Sequence, residues 1–119
     1  MEAKIKLIDK PVMSEILPLY EDAGWVSYTK NPERLKAALE GSLTVLGAYI
    51  DSSLIGLIRC VGDGHSIIYV QDILVLNKYQ RQGIGSLLLK SLLDKYKYVY
   101  QTVLLTDTGA NTEGFYTKC

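Results

Sequence analysis

The chain has 119 residues, 48 % of them hydrophobic, with thirteen Lys and Arg balanced by thirteen Asp and Glu. That length suits one domain around one core, and so apolar a composition excludes a disordered chain. Zero net charge removes the global field that would draw the protein onto nucleic acid or an anionic membrane, so any anion it binds must be held by local geometry.

Lys4 to Ile8 alternates polar and apolar residues and predicts a short first strand. Asp9 is placed to cap a helix beginning near Pro11, with Val12, Ile16, Leu19 and Tyr20 at helical spacing. Pro18 is expected to kink that helix or end its regular part. Residues 23–28 read as a loop carrying two large aromatics, Trp25 and Tyr28. Asn31-Pro32-Glu33-Arg34 is a helix start, an Asn cap followed by Pro at the first helical position. Leu35, Ala38 and Leu39 form the apolar stripe, and Gly41 stops the helix.

Two strands follow, about Leu43 to Ile50 and Leu54 to Val61, and the tight Asp51-Ser52-Ser53 turn predicts that they pair as a hairpin. Cys60 lies in the second apolar run and reads as a small buried hydrophobe. With Cys119 it makes only two cysteines, too few for a disulfide framework or a zinc site, so no metal is expected. Gly62 to Ser66 is a glycine-containing loop in which His65 is expected to be solvated. Ile67 to Leu76 is the longest β-type run, apolar on both faces near its end as a central strand would be.

A helix opens at Gly85 or Ser86 and runs through Lys95, with Leu87, Leu88, Leu92 and Tyr96 on its inner side. The Lys95-Tyr96-Lys97-Tyr98 stretch reads as a solvated helix end rather than a nucleic-acid patch. Tyr100 to Thr106 predicts another strand, and Asn111 is expected to start a last helical turn. The order β-α-α-β-β-β-α-β-α predicts a mixed α/β sheet with helices packed on it, in one domain spanning 1–119. The N-terminus lacks a long apolar segment and no run spans a bilayer, so no membrane partner and a cytoplasmic location are expected by default.

Chemistry concentrates in Gln80-Arg81-Gln82-Gly83-Ile84-Gly85, between a buried strand and an amphipathic helix. Glycines there let the backbone turn sharply and approach a ligand closely. The first turn of the helix has outward-pointing N–H groups and a partial positive charge, which together suit a pyrophosphate. Arg81 and Lys78 add charge at the mouth. The spacing is neither the Gly-x-x-x-x-Gly-Lys-Ser/Thr of a P-loop nor the Gly-x-Gly-x-x-Gly of a dinucleotide fold.

The segment from Asp72 through Leu88, a strand leading into Gln-x-x-Gly-x-Gly and then a helix, resembles the acetyl-CoA-binding motif of the GNAT family of N-acetyltransferases. The Phe115-Tyr116 pair is a second match. The resemblance implies a mostly antiparallel twisted sheet flanked by helices and an acetyl-CoA co-substrate. By it, Ile73, Leu74 and Val75 would offer backbone groups to the pantetheine arm, and Arg81, Gln82, Gly83, Ile84, Gly85 and Ser86 would hold the pyrophosphate. Asn111 would lie near the pantetheine, and Tyr116 would protonate the departing thiolate. On the residues alone, Tyr116 could equally be a packed aromatic, and Gly83 and Gly85 a plain strand-to-helix turn.

Family members with His on the central strand use it to deprotonate the amine. Here the comparable positions hold Tyr69 and Gln71, so Asp72, or water ordered by Gln71, is the expected base; Asp72 could instead be a structural partner of nearby backbone. Trp25 and Tyr28 resemble the acceptor-side loop of small-amine members and would wall an apolar amine pocket, or only cover the core. The expected activity is acetyl transfer to a primary amine of a small molecule, the alternative a non-catalytic acyl-CoA-binding or regulatory module. The resemblance implies two further strands at the C-terminus that are expected to be missing here, and the sheet edge this would expose is expected to favour a homodimer.

Overall fold

Six strands form one sheet in sequence order: β1 (Lys4–Leu7), β2 (Thr44–Ile50), β3 (Ser53–Gly62), β4 (Ile67–Val75), β5 (Gln101–Thr108) and β6 (Asn111–Lys118). The computed structural model describes residues 2–108 and 111–118, with side chains through Leu104. Neighbouring strands are antiparallel except β4 and β5, which run parallel. A parallel pair needs a long crossover, and α4 (Ile84–Lys95) supplies it. Before the sheet come α1 (Met13–Asp22), the single turn α2 (Val26–Thr29) and α3 (Pro32–Glu40).

Each face of the sheet buries its own apolar layer. Ile84, Leu88 and Leu92 of α4 pack on Ala48, Ile58, Cys60, Ile68 and Val70. Ile16, Leu19 and Tyr20 of α1 and Leu35 and Leu39 of α3 pack on Val45, Leu54, Leu57 and Leu74 from the other side. The 3.6-residue spacing of these helical side chains explains why one stripe of each helix is buried. Leu87, expected inward, is 39 % exposed, because it falls outside the Ile84–Leu88–Leu92 stripe.

Local chemistry sets the element ends. Asn31 caps α3 through its side-chain oxygen, which accepts from the Arg34 N–H at 3.2 Å, as expected. Asp9 does not cap α1: the helix begins at Met13 with Val12 at its N-cap and no side-chain cap. Lys10 precedes a proline, which disfavours helical backbone there and leaves Asp9 too far back to reach the first turn. Pro18 neither ends nor breaks α1. It lies on the exposed side, as does Ser14, whose carbonyl loses its helical donor to the proline.

The β2–β3 hairpin closes through Asp51 and Ser52, both in left-handed backbone (φ 50° and 71°), between the paired Ile50 and Ser53. Gly62 is required at the end of β3, since a Cβ there would stand 2.5 Å from the Ile67 carbonyl oxygen at φ 136°. The segment from Asn111, expected to be helical, is instead β6, paired with β5 from Thr108–Asn111 to Gln101–Lys118. Its Asn, Thr and Gly residues are poor helix formers, whereas Thr, Phe and Tyr favour strands. Among the described residues no helix is long and apolar enough to cross a membrane.

Candidate active site

Strand β4 changes its habit in the middle. Arg59 pairs with Asp72 and Cys60 with Val70, which leaves Gln71 as an extra residue on β4, a β-bulge. The alternation of side chains flips across it. Ile68 and Val70 face α4, whereas Leu74 packs in the α1–α3 layer and Asp72 hydrogen-bonds to Tyr20 of α1. Ile73 and Val75 then return to the α4 side. Gln71 itself is exposed.

The bulge coincides with the end of the parallel pairing. β4 pairs with β5 from Ile67–Gln101 to Val70–Leu104, whereas β4 continues to Val75 on the β3 side. From Gln71 to Val75 the β5-facing edge of β4 therefore has no strand partner among the described residues. The sheet opens there, and backbone groups with no strand partner face the gap, the Val75 carbonyl being taken by a side chain instead.

A 3-10 turn at Asn77–Tyr79 carries the chain out of β4. Gln80 locks it, donating from Nε2 to the Val75 carbonyl (3.1 Å) and to Asn77 Oδ1 (3.0 Å). The Asn77 N–H in turn donates to Asp22 Oδ2 at the end of α1 (2.7 Å). Arg81 and Gly83 then both take left-handed backbone (φ 67° and 79°), and Gly83 is the N-cap of α4 with no side-chain cap. The first-turn N–H groups of α4 are therefore left for a ligand. Ile73, Val75, Tyr79, Gln80, Arg81, Gly83, Ile84, Gly85 and Ser86 line a groove of about 430 Å³ in front of them. Nothing lies within 4 Å of a Cβ built on Gly83, so the backbone angle, not space, demands glycine there.

On the other side of the sheet lies a buried polar cluster. Arg59 Nε donates to Asp72 Oδ2 at 2.7 Å and Tyr20 Oη donates to the same oxygen at 2.9 Å. Arg59 Nη1 reaches Ser42 Oγ (3.3 Å) and Nη2 reaches the Tyr28 hydroxyl (3.2 Å). Arg59, Asp72 and Tyr20 are 5 %, 2 % and 0 % exposed. Burial, then the Asp72 carboxylate, pushes the Tyr20 phenol well above its ordinary range, so it stays a donor. Burial alone would lower Arg59, but the hydrogen bond and charge of Asp72 outweigh it and hold the guanidinium above its usual value. The Tyr20, Trp25 and Tyr28 rings form one cluster with centroids 5.2 to 6.0 Å apart. The thiol of Cys60 is pushed up to about 11 by burial, which makes it inert.

The sequence-derived candidates fall into groups. Ile73, Val75, Arg81, Gly83, Ile84, Gly85 and Ser86 come together in the groove. Leu74 turns its side chain to the opposite layer, and Gln82 is exposed outside the groove lining. Trp25 and Tyr28 stand together; Tyr28 lies on the helical turn α2 rather than in a loop, and Trp25 precedes that turn as its N-cap residue. Asp72 and Gln71 are neighbours but face differently: Asp72 is enclosed by Arg59 and Tyr20, Gln71 is open. Asn111 and Tyr116 lie in β6, opposite Thr108 and Val103, and their side chains are outside the described ones. Sequence reasoning missed Arg59 and Tyr20. A lone cation within the run Leu54 to Val61 was the available signal, since a buried charge demands a partner. Among the described residues no group of three or more His, Cys, Asp or Glu could hold a metal.

A family model described as an acetyltransferase (GNAT) domain matches residues 16–119. A GNAT-family acetyltransferase from Streptococcus pneumoniae shares 41 % identity at a TM-score of 0.79, over 91 % of this chain and 78 % of that one. The PaiA N-acetyltransferase of Thermoplasma acidophilum, solved with coenzyme A, is similar in fold at a TM-score of 0.79 and 15 % identity, over 100 % of each chain. So is an aminoglycoside acetyltransferase from an uncultured soil metagenomic sample, solved with sisomicin, at 0.68 and 21 %, over 89 % of this chain and 78 % of that one. No curated protein sequence matches the chain.

Proposed function

Because the chain belongs to the GNAT acetyltransferase family and is an N-acetyltransferase domain, we propose that it transfers the acetyl group of acetyl-CoA to a primary amine of a small molecule by direct attack. The observation that carries this reading is the opening between β4 and β5, set beside an α4 N-terminus with no side-chain cap. In this reading the diphosphate sits on the N–H groups of Gly83 to Ser86, with Arg81 at the rim. The pantetheine runs along the edge of Ile73 to Val75 that no strand covers, pairing with its free backbone groups as a strand would, with Asn111 near it. The acyl end then reaches the bulge beside Asp72, which Arg59 links to the Tyr28 hydroxyl.

The amine nitrogen attacks the thioester carbonyl carbon, the C–S bond breaks, and the thiolate leaves with a proton from Tyr116. The amine's own proton passes to water ordered by Gln71, the exposed bulge residue. Asp72 is the less accessible of the two candidates, because its carboxylate already accepts from Arg59 and Tyr20 and is enclosed. The aromatic pair, and relatives of the same fold that act on aminoglycosides, support a small amine as acceptor.

Isothermal calorimetry with coenzyme A and thiol release from acetyl-CoA with a panel of primary amines test the reading. Gly83→Asp places a charged side chain in left-handed backbone against the diphosphate, so coenzyme A affinity should fall by at least about a hundredfold. Unaltered binding in that variant, or no binding by the parent protein, overturns the proposal.

A further inference from the structure

Arg59 joins two parts of the site that the chain separates widely. It pairs with Asp72 in the β3–β4 register, next to the bulge that leaves Gln71 unpaired. Its Nε serves Asp72 on the strand, its Nη1 serves Ser42 just after α3, and its Nη2 serves Tyr28 of α2. The planar fork of guanidinium allows these three directions at once, which an ammonium does not. The segment that Tyr28 belongs to needs such a tie. α2 is four residues long and buries none of them fully; backbone bonds tie its ends to α1 and α3, Trp25 and Tyr28 pack partly on the core, and the Tyr28 hydroxyl bond to Arg59 is the side-chain hydrogen bond that ties it to the sheet.

We propose that Arg59 is a positioning residue for the acceptor amine: bonded to Tyr28 from beside the bulge, it holds the aromatic wall of α2 at a fixed distance from the opening between β4 and β5. This rests on the reading of that opening as the acetyl-donor site. Arg59 touches neither substrate. It acts through Tyr28, and its effect belongs to amine binding rather than to the chemical step or to coenzyme A.

Two variants isolate the tie while leaving the buried charge of Asp72 paired. Tyr28→Phe keeps the ring and removes the hydroxyl. Arg59→Lys keeps a cation for Asp72 and removes the fork. Circular dichroism establishes that each is folded. With acetyl-CoA saturating and the best acceptor from the amine panel varied, either change should raise the amine KM about tenfold, with kcat held within about threefold and coenzyme A affinity within about twofold. The double variant should be no worse than Arg59→Lys alone, because that change has already removed the bond to Tyr28, whereas independent effects would multiply to about a hundredfold.

Trp25 is the single tryptophan of the chain. Its fluorescence should become more open to acrylamide in both variants. An unchanged amine KM with unchanged quenching, or multiplicative effects in the double variant, overturns the proposal. Failure of the parent reading has a different signature, a wild-type protein that does not bind coenzyme A; quenching of Trp25 needs no ligand and still decides whether Arg59 holds α2.

Discussion

A single carboxylate oxygen, Asp72 Oδ2, receives both the Arg59 guanidinium and the Tyr20 phenol inside the protein. Such an arrangement is robust while whole and fragile when cut, because removing one partner strands the other charge away from water. Asp72→Asn keeps the size and one acceptor but leaves Arg59 buried without its counter-charge. The expected loss is about 3–5 kcal/mol of stability, read from urea unfolding. If Asp72 were the general base, the same variant would also remove the limb of the pH–rate profile on which activity rises with pH. The enclosure of Asp72 leads us to expect that limb to survive in protein kept folded by working at low temperature and without denaturant. A lost limb with intact circular dichroism would return Asp72 to the role of base.

Single elements carry their own tests. The β2–β3 turn uses Asp51 and Ser52 where a two-residue hairpin of this hand favours Asp-Gly. Ser52 bears the strain of a Cβ in left-handed backbone, so Ser52→Gly should stabilise the fold by about 0.5–1 kcal/mol, less than the full relief because glycine loosens the unfolded chain. Chemical denaturation with an unaltered m-value checks this. The β3–β4 loop is stapled differently. Asp63 accepts from the backbone N–H groups of His65, Ser66 and Ile67 (2.8, 2.8 and 3.1 Å) and from the Ser66 hydroxyl (2.6 Å). The Ser66 hydroxyl first, then those backbone donors, hold its carboxyl well below the usual carboxylate range. A carboxyl so lowered contributes stability in full above its ordinary value near 4, and loses it as pH falls toward the folded value. Thermal melts should thus fall more steeply below about pH 4 in the parent protein than in Asp63→Asn; parallel curves would remove Asp63 from the loop's account. The elements most legible in the sequence were those with a local cause: the Asn31-Pro32 helix start, the β2–β3 hairpin, and the glycines ahead of α4. Asp9 misled because its signal is conditional on reach to the first helical turn.

At the scale of the whole molecule, the site arises where the sheet stops being regular, and that is the part the sequence showed least. Hydrophobic alternation in Ile67 to Leu76 announces a central strand, but a bulge at Gln71 depends on the register that β3 imposes, and no local signal in β4 encodes it. The same register brings Arg59 opposite Asp72, a pairing thirteen residues apart that neither strand's own pattern encodes. The glycine-rich turn, by contrast, could be read in advance, because positive φ and free helix N–H groups are local properties. Charge balance then makes a statement about binding that no single residue makes. The protein has zero formal charge, and Lys78, its ammonium 5.3 Å from the centre of the Tyr79 ring, and Arg81 are the exposed cations next to the groove. Main-chain dipoles at close range are screened far less by salt than distant lysines are. Coenzyme A affinity should consequently fall by less than about tenfold between roughly 0.05 and 0.5 M salt, and Arg81→Ala should flatten what dependence remains. A loss near a hundredfold over that range, followed by calorimetry, would mean that surface cations rather than the start of α4 hold the diphosphate.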